Sequence, residues 1–290
     1  MMYYPNSERT IELIKKYIKL PFDKHAETES WKYYVLNKTK SHRRITILDQ
    51  GRVDFTKVYH EQDSDISLST KDLVNLYRYY YFQLHYTSSL YIYKLGHHKL
   101  YPNISDNHII FIDLGCGPFT AGIAFKEYCI DKAIKPNVEY YGYDIANAMI
   151  KSALEISIFS NQVHFPTKNF FDLDYHNLSK LKFKQSKFII LNVCYFLAAR
   201  SFDIKIFSDV LKTFIDKHTN NKIFIIYQNP SYLNENWTKL KQSLSNFSTL
   251  RKSKGLLYFK FDDLAGSWLP EYDKPKMKVY FDYLTSKIIE

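Results

Sequence analysis

Ile109-Ile110-Phe111-Ile112-Asp113-Leu114-Gly115-Cys116-Gly117-Pro118-Phe119-Thr120-Ala121-Gly122-Ile123-Ala124-Phe125 is the stretch from which the fold is read. It opens as an unbroken run of β-branched and aromatic residues, the pattern of a parallel strand buried on both faces. An acid closes the run and two glycines follow, one residue apart. Thr120 stands where a helix N-cap belongs, and Ala121 to Tyr128 continue with helical spacing. Strand, glycine turn, helix is the start of a nucleotide-binding crossover, in which glycines allow a tight turn and close approach of a ligand.

A dinucleotide fingerprint would need glycine at position 120, where Thr120 stands, and Asp113 would repel a pyrophosphate. An acid at the mouth of the turn suits a ligand with a cationic end. The segment Asp113-Leu114-Gly115-Cys116-Gly117-Pro118-Phe119-Thr120-Ala121-Gly122 resembles motif I of the class I S-adenosylmethionine-dependent methyltransferases, which carry D/E-x-G-x-G.

The rest of the chain has the matching alternation. Strands are predicted at Val138 to Asp144, Gln162 to Thr167, Lys187 to Asn192 and Lys222 to Tyr227. Helices are predicted at Ala146 to Phe159, Ser201 to Lys217 and Leu233 to Phe247. Leu256 to Phe261 and Lys276 to Tyr283 leave no room for a helical crossover and should pair antiparallel. Five βα units and a terminal hairpin resemble the seven-stranded sheet of that superfamily: an α/β Rossmann-like sheet with helices on both faces. Residues 101–290 are assigned to this domain and 1–100 to an N-terminal α+β extension.

In the extension, Ser7 to Leu20 reads as a short amphipathic helix and Trp31 to Leu36 as a candidate second one. Arg43 to Leu48 and Arg52 to Val58 alternate around a turn-like Asp49-Gln50-Gly51, a predicted β-hairpin. Gln62 to Thr70 reads as a loop. Ser69 or Thr70 can cap a helix from Lys71 to about Lys94, ended by Gly96. That helix is apolar on nearly every side, so its tyrosines read as packing groups before base-stacking platforms.

The resemblance implies S-adenosylmethionine as cofactor. Asp113 would then pair with the ammonium of its methionine end, and Gly115, Cys116 and Gly117 would line the turn. Asp144, at the end of the second strand, would bind the ribose hydroxyls, and Ile145 would lie on the adenine face. Phe171 and Asp172 would flank the adenine, with Asp174 as an alternative acid. Asn192-Val193-Cys194-Tyr195 resembles the N-P-P-Y motif of amino-methylating enzymes without its prolines. That outline makes Asn192 and Tyr195 the candidate catalytic pair, with Asn192 also near the cofactor. In the family's strand order the first and fourth strands are neighbours, which would put Cys116 and Cys194 on adjacent loops beside the pocket. Buried apolar filling is the other reading of both thiols.

The 290 residues are 46% hydrophobic with a formal charge of +10, which suffices for a sizeable core and favours a polyanionic partner, RNA or DNA. The basic clusters are Lys38 to Arg44, Lys180 to Lys187, Arg251 to Lys254 and Lys274 to Lys278. An A·T-rich coding bias enriches Lys, Asn, Ile, Tyr and Phe as well, and accounts for the same composition. No run of 18 apolar residues occurs, so no membrane span is expected. No basic stretch precedes an apolar one at the start, so no signal peptide is expected. Cys116, Cys129 and Cys194 form no C-x-x-C, which speaks for reduced thiols, a cytoplasmic location and no metal site.

Three functions fit these residues. The first is a methyltransferase acting on nucleic acid, RNA before DNA, or on an associated protein. The second is a noncatalytic cofactor-binding subunit that docks a protein partner through the extension. The third is a small-molecule methyltransferase, favoured if the extension closes the pocket.

Overall fold

Isoleucines 109, 110 and 112 and Phe111 are all fully buried, so the run that opens motif I is covered on both faces. It lies in β3 (His108–Leu114), inside a seven-stranded sheet. The other strands are β4 (Asn137–Tyr143), β5 (Lys168–Asp172), β6 (Phe188–Cys194), β7 (Lys222–Asn229), β8 (Phe247–Tyr258) and β9 (Lys276–Ser286). The computed structural model describes residues 7–25, 53–60, 65, 67–104, 108–183, 188–198, 202–229, 234–258 and 276–286.

The strand order is β5-β4-β3-β6-β7-β9-β8. Neighbours from β5 through β7 are parallel, and β9 runs antiparallel to both β7 and β8. In the β3–β6 pair Asp113 stands opposite Asn192, as the expected neighbourhood of first and fourth strands requires. A pair of two-residue strands, β1 (Tyr59–His60) and β2 (Ser67–Leu68), forms a separate antiparallel sheet.

Side chains leave the sheet with period two. Ile109, Phe111, Tyr140, Ile190, Ile226 and Tyr283 face one core; Ile110, Ile112, Leu191, Val193, Ile225 and Tyr227 face the other. The first face is covered by α1 (Glu8–Ile14), α2 (Leu20–His25), α3 (Thr70–Leu95), α4 (His97–Ile104), α5 (Thr120–Asp131) and α6 (Asn147–Val163). The second is covered by α7 (Ile204–Lys217) and α8 (Glu235–Ser243). Helices on both faces of a mostly parallel sheet are the architecture the sequence predicts.

Helix α3 starts at a capping box: Asp72 N–H donates to Ser69 Oγ at 3.2 Å, and Ser69 N–H to Asp72 Oδ2 at 2.9 Å. Much of its tyrosine content packs: Tyr79 stacks on Phe22 of α2 at 3.6 Å, and Tyr86, Tyr91 and Tyr93 are buried. Helix α1 is fastened to the sheet domain through Glu127 of α5. Its carboxylate accepts from Ser7 Oγ (2.5 Å), Thr10 Oγ1 (3.1 Å) and His164 Nε2 (2.9 Å), and Arg9 lies 3.4 Å away.

Several expectations are corrected. The third strand is Lys168–Asp172 rather than Gln162 to Thr167, because α6 runs on to Val163 and its end is tied down by His164. Thr120 is the first residue of α5, not its cap. The cap is Phe119, in a left-handed conformation without a side-chain bond. The helix predicted from Leu233 to Phe247 is the shorter α8, and β8 begins at Phe247 rather than Leu256. Helix α1 does not stop near Leu20 but continues through a π-helical turn (Lys15–Lys19) into α2. Val53 to Val58 is turn and loop rather than a hairpin arm; Thr56 N–H donates to Asp54 Oδ1 at 2.9 Å. Ser67 and Leu68 form a strand within the expected loop. The hairpin's first arm, the helix at Trp31 to Leu36 and the basic cluster Lys38 to Arg44 lie outside the described residues.

Candidate functional site

Parallel strands end together, and the crevice beyond their carboxyl ends is where open α/β sheets hold ligands. Here those ends are laced to one another. The N–H groups of Gly115 and Cys116 donate to the Tyr143 carbonyl at 2.8 and 3.0 Å, and Asp144 N–H donates to the Asp172 carbonyl at 3.2 Å. The Asp144 carboxylate accepts from Gly117 N–H (3.1 Å) and Ala146 N–H (2.9 Å), which fastens the glycine turn to the end of β4. Burial pushes Asp144 up to about 6 against these two donors. The cap of α6 is Ala146, so Asp144 shapes the entry to that helix without capping it.

The two glycines of the turn differ. Both have positive φ, 71° at Gly115 and 49° at Gly117. A side chain at Gly115 would strike Phe196 at 2.9 Å, whereas at Gly117 the nearest group is the ring edge of Tyr77 at 3.9 Å. Gly115 is therefore a packing requirement, whereas at Gly117 a Cβ has room and what glycine supplies is the positive φ of the turn. Phe119 shares the left-handed conformation at φ 66°, which costs a non-glycine residue about 1–2 kcal/mol.

Asp113 is enclosed, at 2% exposure. One carboxylate oxygen accepts from Tyr140 Oη (2.5 Å) and the other from Asn192 Nδ2 (2.7 Å). Burial raises it to about 6, and these two bonds oppose the rise. Asn192 is fully buried beside it, and its Oδ1 accepts from Tyr93 Oη (3.3 Å) and Cys194 Sγ (3.1 Å). Asn192 is the residue expected to bind the methyl acceptor. Its amide is consumed in orienting Asp113, because the β6 residue opposite Asp113 points to the same face beneath α3. Tyr195 also differs from a free stacking ring. It sits at φ 61°, its ring lies on His85 at 4.1 Å and 18°, and its hydroxyl contacts Ser88 and Gln228.

Ile145, expected on the adenine face, is 67% exposed beside Asp144. Phe171 points inward against Tyr140 and Phe119, at 5.7 and 6.0 Å, rather than forming an open wall. Asp172 accepts from Asp174 N–H (3.0 Å) and Asn177 Nδ2 (2.8 Å), and Asp174 caps the 3₁₀ turn Tyr175–Lys180. Cys116 is buried, its thiol 3.6 Å from the Gly117 carbonyl, while Cys194 is half-buried at the end of β6. Burial raises both thiols well above their ordinary value.

Sequence reasoning passed over Tyr77, His85 and Ser88 of α3 and Gln228 of β7. Their spacing on α3, eight then three, puts the first three on one helical face. The signal at Gln228 is an amide that directly follows the apolar run Ile223 to Tyr227 of a strand.

Within the large sheet, numbered from β3, the strands run 3-2-1-4-5-7-6 with the seventh reversed, and the glycine turn leaves strand 1. The chain has the class I methyltransferase fold. No family model matches the sequence, and no curated protein matches it. Solved structures align at low identity. A protein from Listeria monocytogenes, described as a class I S-adenosylmethionine-dependent methyltransferase, shares 9% identity over 98% of this chain and 90% of its own, with a TM-score of 0.47. A protein described as an rRNA methylase from Clostridium thermocellum shares 11% over 67% of this chain and 96% of its own, TM-score 0.41. Magnesium protoporphyrin IX methyltransferase from Synechocystis, with bound SAH, shares 11% over 88% of this chain and 97% of its own, TM-score 0.41.

The turn fits the cofactor of that fold class on its own geometry. A Cβ at Gly117 would meet only the Tyr77 ring, at 3.9 Å, the half-buried Asp144 carboxylate accepts from the Gly117 N–H, and Ile145 offers an exposed apolar edge. At the first residue of α5, the buried Thr120 hydroxyl has no hydrogen-bond partner among the described residues. A polar ligand at that helix start would satisfy it. Among the described residues no His, Cys, Asp or Glu cluster could hold a metal ion, and no helix is long and apolar enough to cross a membrane.

Proposed function

We propose that this protein is an S-adenosylmethionine-dependent methyltransferase with RNA as its favoured acceptor. The observation that carries the first half is the positive-φ glycine turn, tied through Gly117 N–H to Asp144 at the carboxyl ends of β3 and β4. When bound, the cofactor supplies a methyl group on a cationic sulfur that departs as a neutral thioether. Asp144 would hold the ribose hydroxyls with its remaining lone pairs, Ile145 would cover one face of the adenine, and Gly117 would let the chain approach without a side chain between. Asp113 acts from beneath: its negative charge lies under the turn, braced by Tyr140 and Asn192, and favours a cationic ligand end above it. Alignment of donor and acceptor supplies most of the rate in such a transfer, so a catalytic dyad is not required.

The RNA reading is supported by the charge of +10. Arg251, Lys252, Lys254 and Lys278 are exposed on the terminal hairpin. Lysines on an edge strand such as β8 also discourage sheet-to-sheet aggregation. Two other readings have an observation behind them. Tyr77 of α3 lies over the glycine turn, which favours a small acceptor in a covered pocket. The burial of Asn192 favours a cofactor-binding subunit that docks a protein through residues 1–100.

Calorimetry with the demethylated cofactor, SAH, should show micromolar-range binding, weakened at least tenfold, about 1.4 kcal/mol, by Asp144→Ala. Absence of binding would remove the activity. Affinity for RNA should fall log-linearly with salt. A flat response for RNA and DNA alike would move the acceptor to a small molecule.

A further inference from the structure

Beyond the cofactor turn, α3 and the ends of β6 and β7 enclose a polar cluster that the fold does not require. Ser88 Oγ donates its hydrogen to the His85 carbonyl at 3.0 Å. With that hydrogen committed, Ser88 can only accept from Gln228 Nε2, 2.5 Å away, which fixes the orientation of the Gln228 amide. Gln228 Nε2 also reaches the Tyr195 hydroxyl. Gln228 Oε1 is thereby left with no donor among the described residues, on a fully buried side chain. Leaving such a carbonyl unpaired carries a desolvation penalty, which an incoming N–H recovers.

His85 supplies a second vacant acceptor. Its Nδ1 is paired with Tyr77 Oη at 2.9 Å, and its Nε2 has no partner among the described residues. In the tautomer that donates Nδ1–H to Tyr77, Nε2 keeps its lone pair. Tyr195 joins the two acceptors. Its ring lies on the imidazole at 4.1 Å, its backbone N–H donates to the Gln228 carbonyl at 2.9 Å, and its hydroxyl meets the Gln228 amide. Tyr77, Tyr81, His85 and Tyr195 line this corner with π faces, and Tyr77 is the same ring that stands in front of Gly117.

We propose that the methyl acceptor is an amino group conjugated to a flat ring, whose two N–H bonds go to Gln228 Oε1 and His85 Nε2, and that His85 takes the proton released on methylation. The inference rests on the methyltransferase reading and deepens it. In the balanced step the nitrogen lone pair forms the new C–N bond as the C–S bond breaks with its electron pair going to sulfur. One N–H proton then passes to His85 Nε2 and onward to solvent. Burial holds the imidazole neutral, pushed down to about 3. So weak a base accepts protons only from a stronger acid. The methylated cation of a ring-conjugated amine is such an acid, because deprotonation restores the delocalised lone pair. An alkylammonium near 10 is not.

The test uses protein with ¹⁵N-labelled histidines, saturated with SAH so that the cofactor's own adenosine site is filled. Adenosine and cytidine are titrated against their deaminated counterparts inosine and uridine. His85 should first report the Nδ1-protonated neutral tautomer. Adenosine or cytidine should then shift its Nε2 resonance and bind at least tenfold more tightly than the counterpart without the amine. His85→Gln and Gln228→Leu should each abolish that preference while SAH affinity, read by calorimetry, stays within twofold. Equal binding of the deaminated nucleosides, or no response at His85 to any of the four, would overturn the inference while leaving the cofactor site standing. Failure of SAH itself to bind would remove the methyltransferase reading and this inference together. The comparison within the wild-type protein decides the matter even if a variant does not fold.

Discussion

Replacing Glu127 by glutamine should destabilise the protein by about 3 kcal/mol at neutral pH. The Glu127 carboxylate is 7% exposed and receives bonds from Ser7, Thr10 and His164, with Arg9 alongside. Burial on its own would raise its pKa; the bonds from His164 and Ser7 and the charges of His164 and Arg9 prevail and hold it at about 2, from 4.5. A difference of that size corresponds to about 3 kcal/mol at 1.36 kcal/mol per pKa unit. It agrees with the about 3–5 kcal/mol lost when one member of a buried charged group is removed. Because the folded pKa is depressed, this stability is present above the unfolded value and is lost as pH falls from about 4.5 toward about 2. Urea unfolding of wild type and Glu127→Gln at neutral pH and at several acidic pH values measures both. The melting temperature should drop by about 5 °C at pH 7 for a chain of this size. A loss under about 1 kcal/mol, or a gap between the proteins that stays constant down to pH 3, would refute the account of how α1 is attached.

Four other outcomes follow from the geometry. Tyr140→Phe removes one of the two donors to the enclosed Asp113 and should cost about 1.5–3 kcal/mol in urea unfolding, without loss of the fold's circular dichroism. Gly115→Ala demands a left-handed alanine and displaces Phe196, so it should lose about 1–3 kcal/mol in urea unfolding, whereas Gly117→Ala should weaken SAH binding in calorimetry with a smaller stability change. Lys241→Met leaves the Asp282 carboxylate, 1% exposed, with Trp237 Nε1 as its remaining bonded donor, and should cost about 3–5 kcal/mol in thermal unfolding. A bulky thiol reagent should label half-buried Cys194 first, while Cys116 and Cys129 react only at the rate of unfolding.

The strands that decide the fold were legible because each is a continuous apolar run, and burial on both faces requires that. The third strand was displaced in the reading because β5 is a sheet edge: its residues alternate between half-buried and exposed, with Phe170 outward and Phe171 inward, so no run marks it. The turn residues and Asp144 were found from their place at strand ends. The part played by Asn192 was not, because it depends on the residue opposite it in the sheet, a distance of 79 positions along the chain. The working face of α3 was hidden for a different reason. Tyrosine counts as apolar in any periodicity, so Tyr77 blended with Tyr79 and Phe82, which do point into the core. A helix with two apolar faces and one aromatic, hydrogen-bonding face has almost the pattern of a helix buried all round.

Strand β9 lies between β7 and β8, although β8 precedes it in the chain. During synthesis β7 and β8 therefore leave the ribosome before the strand that joins them exists, and the seventeen residues 259–275 must follow before β9 appears. For that interval β7 presents a long, apolar open edge, and Asp282, the acid that Trp237 and Lys241 will hold, has not yet been made. Vectorial folding of this half of the sheet waits on Lys276–Ser286, and nascent chains stalled before that strand should be the species that chaperones retain.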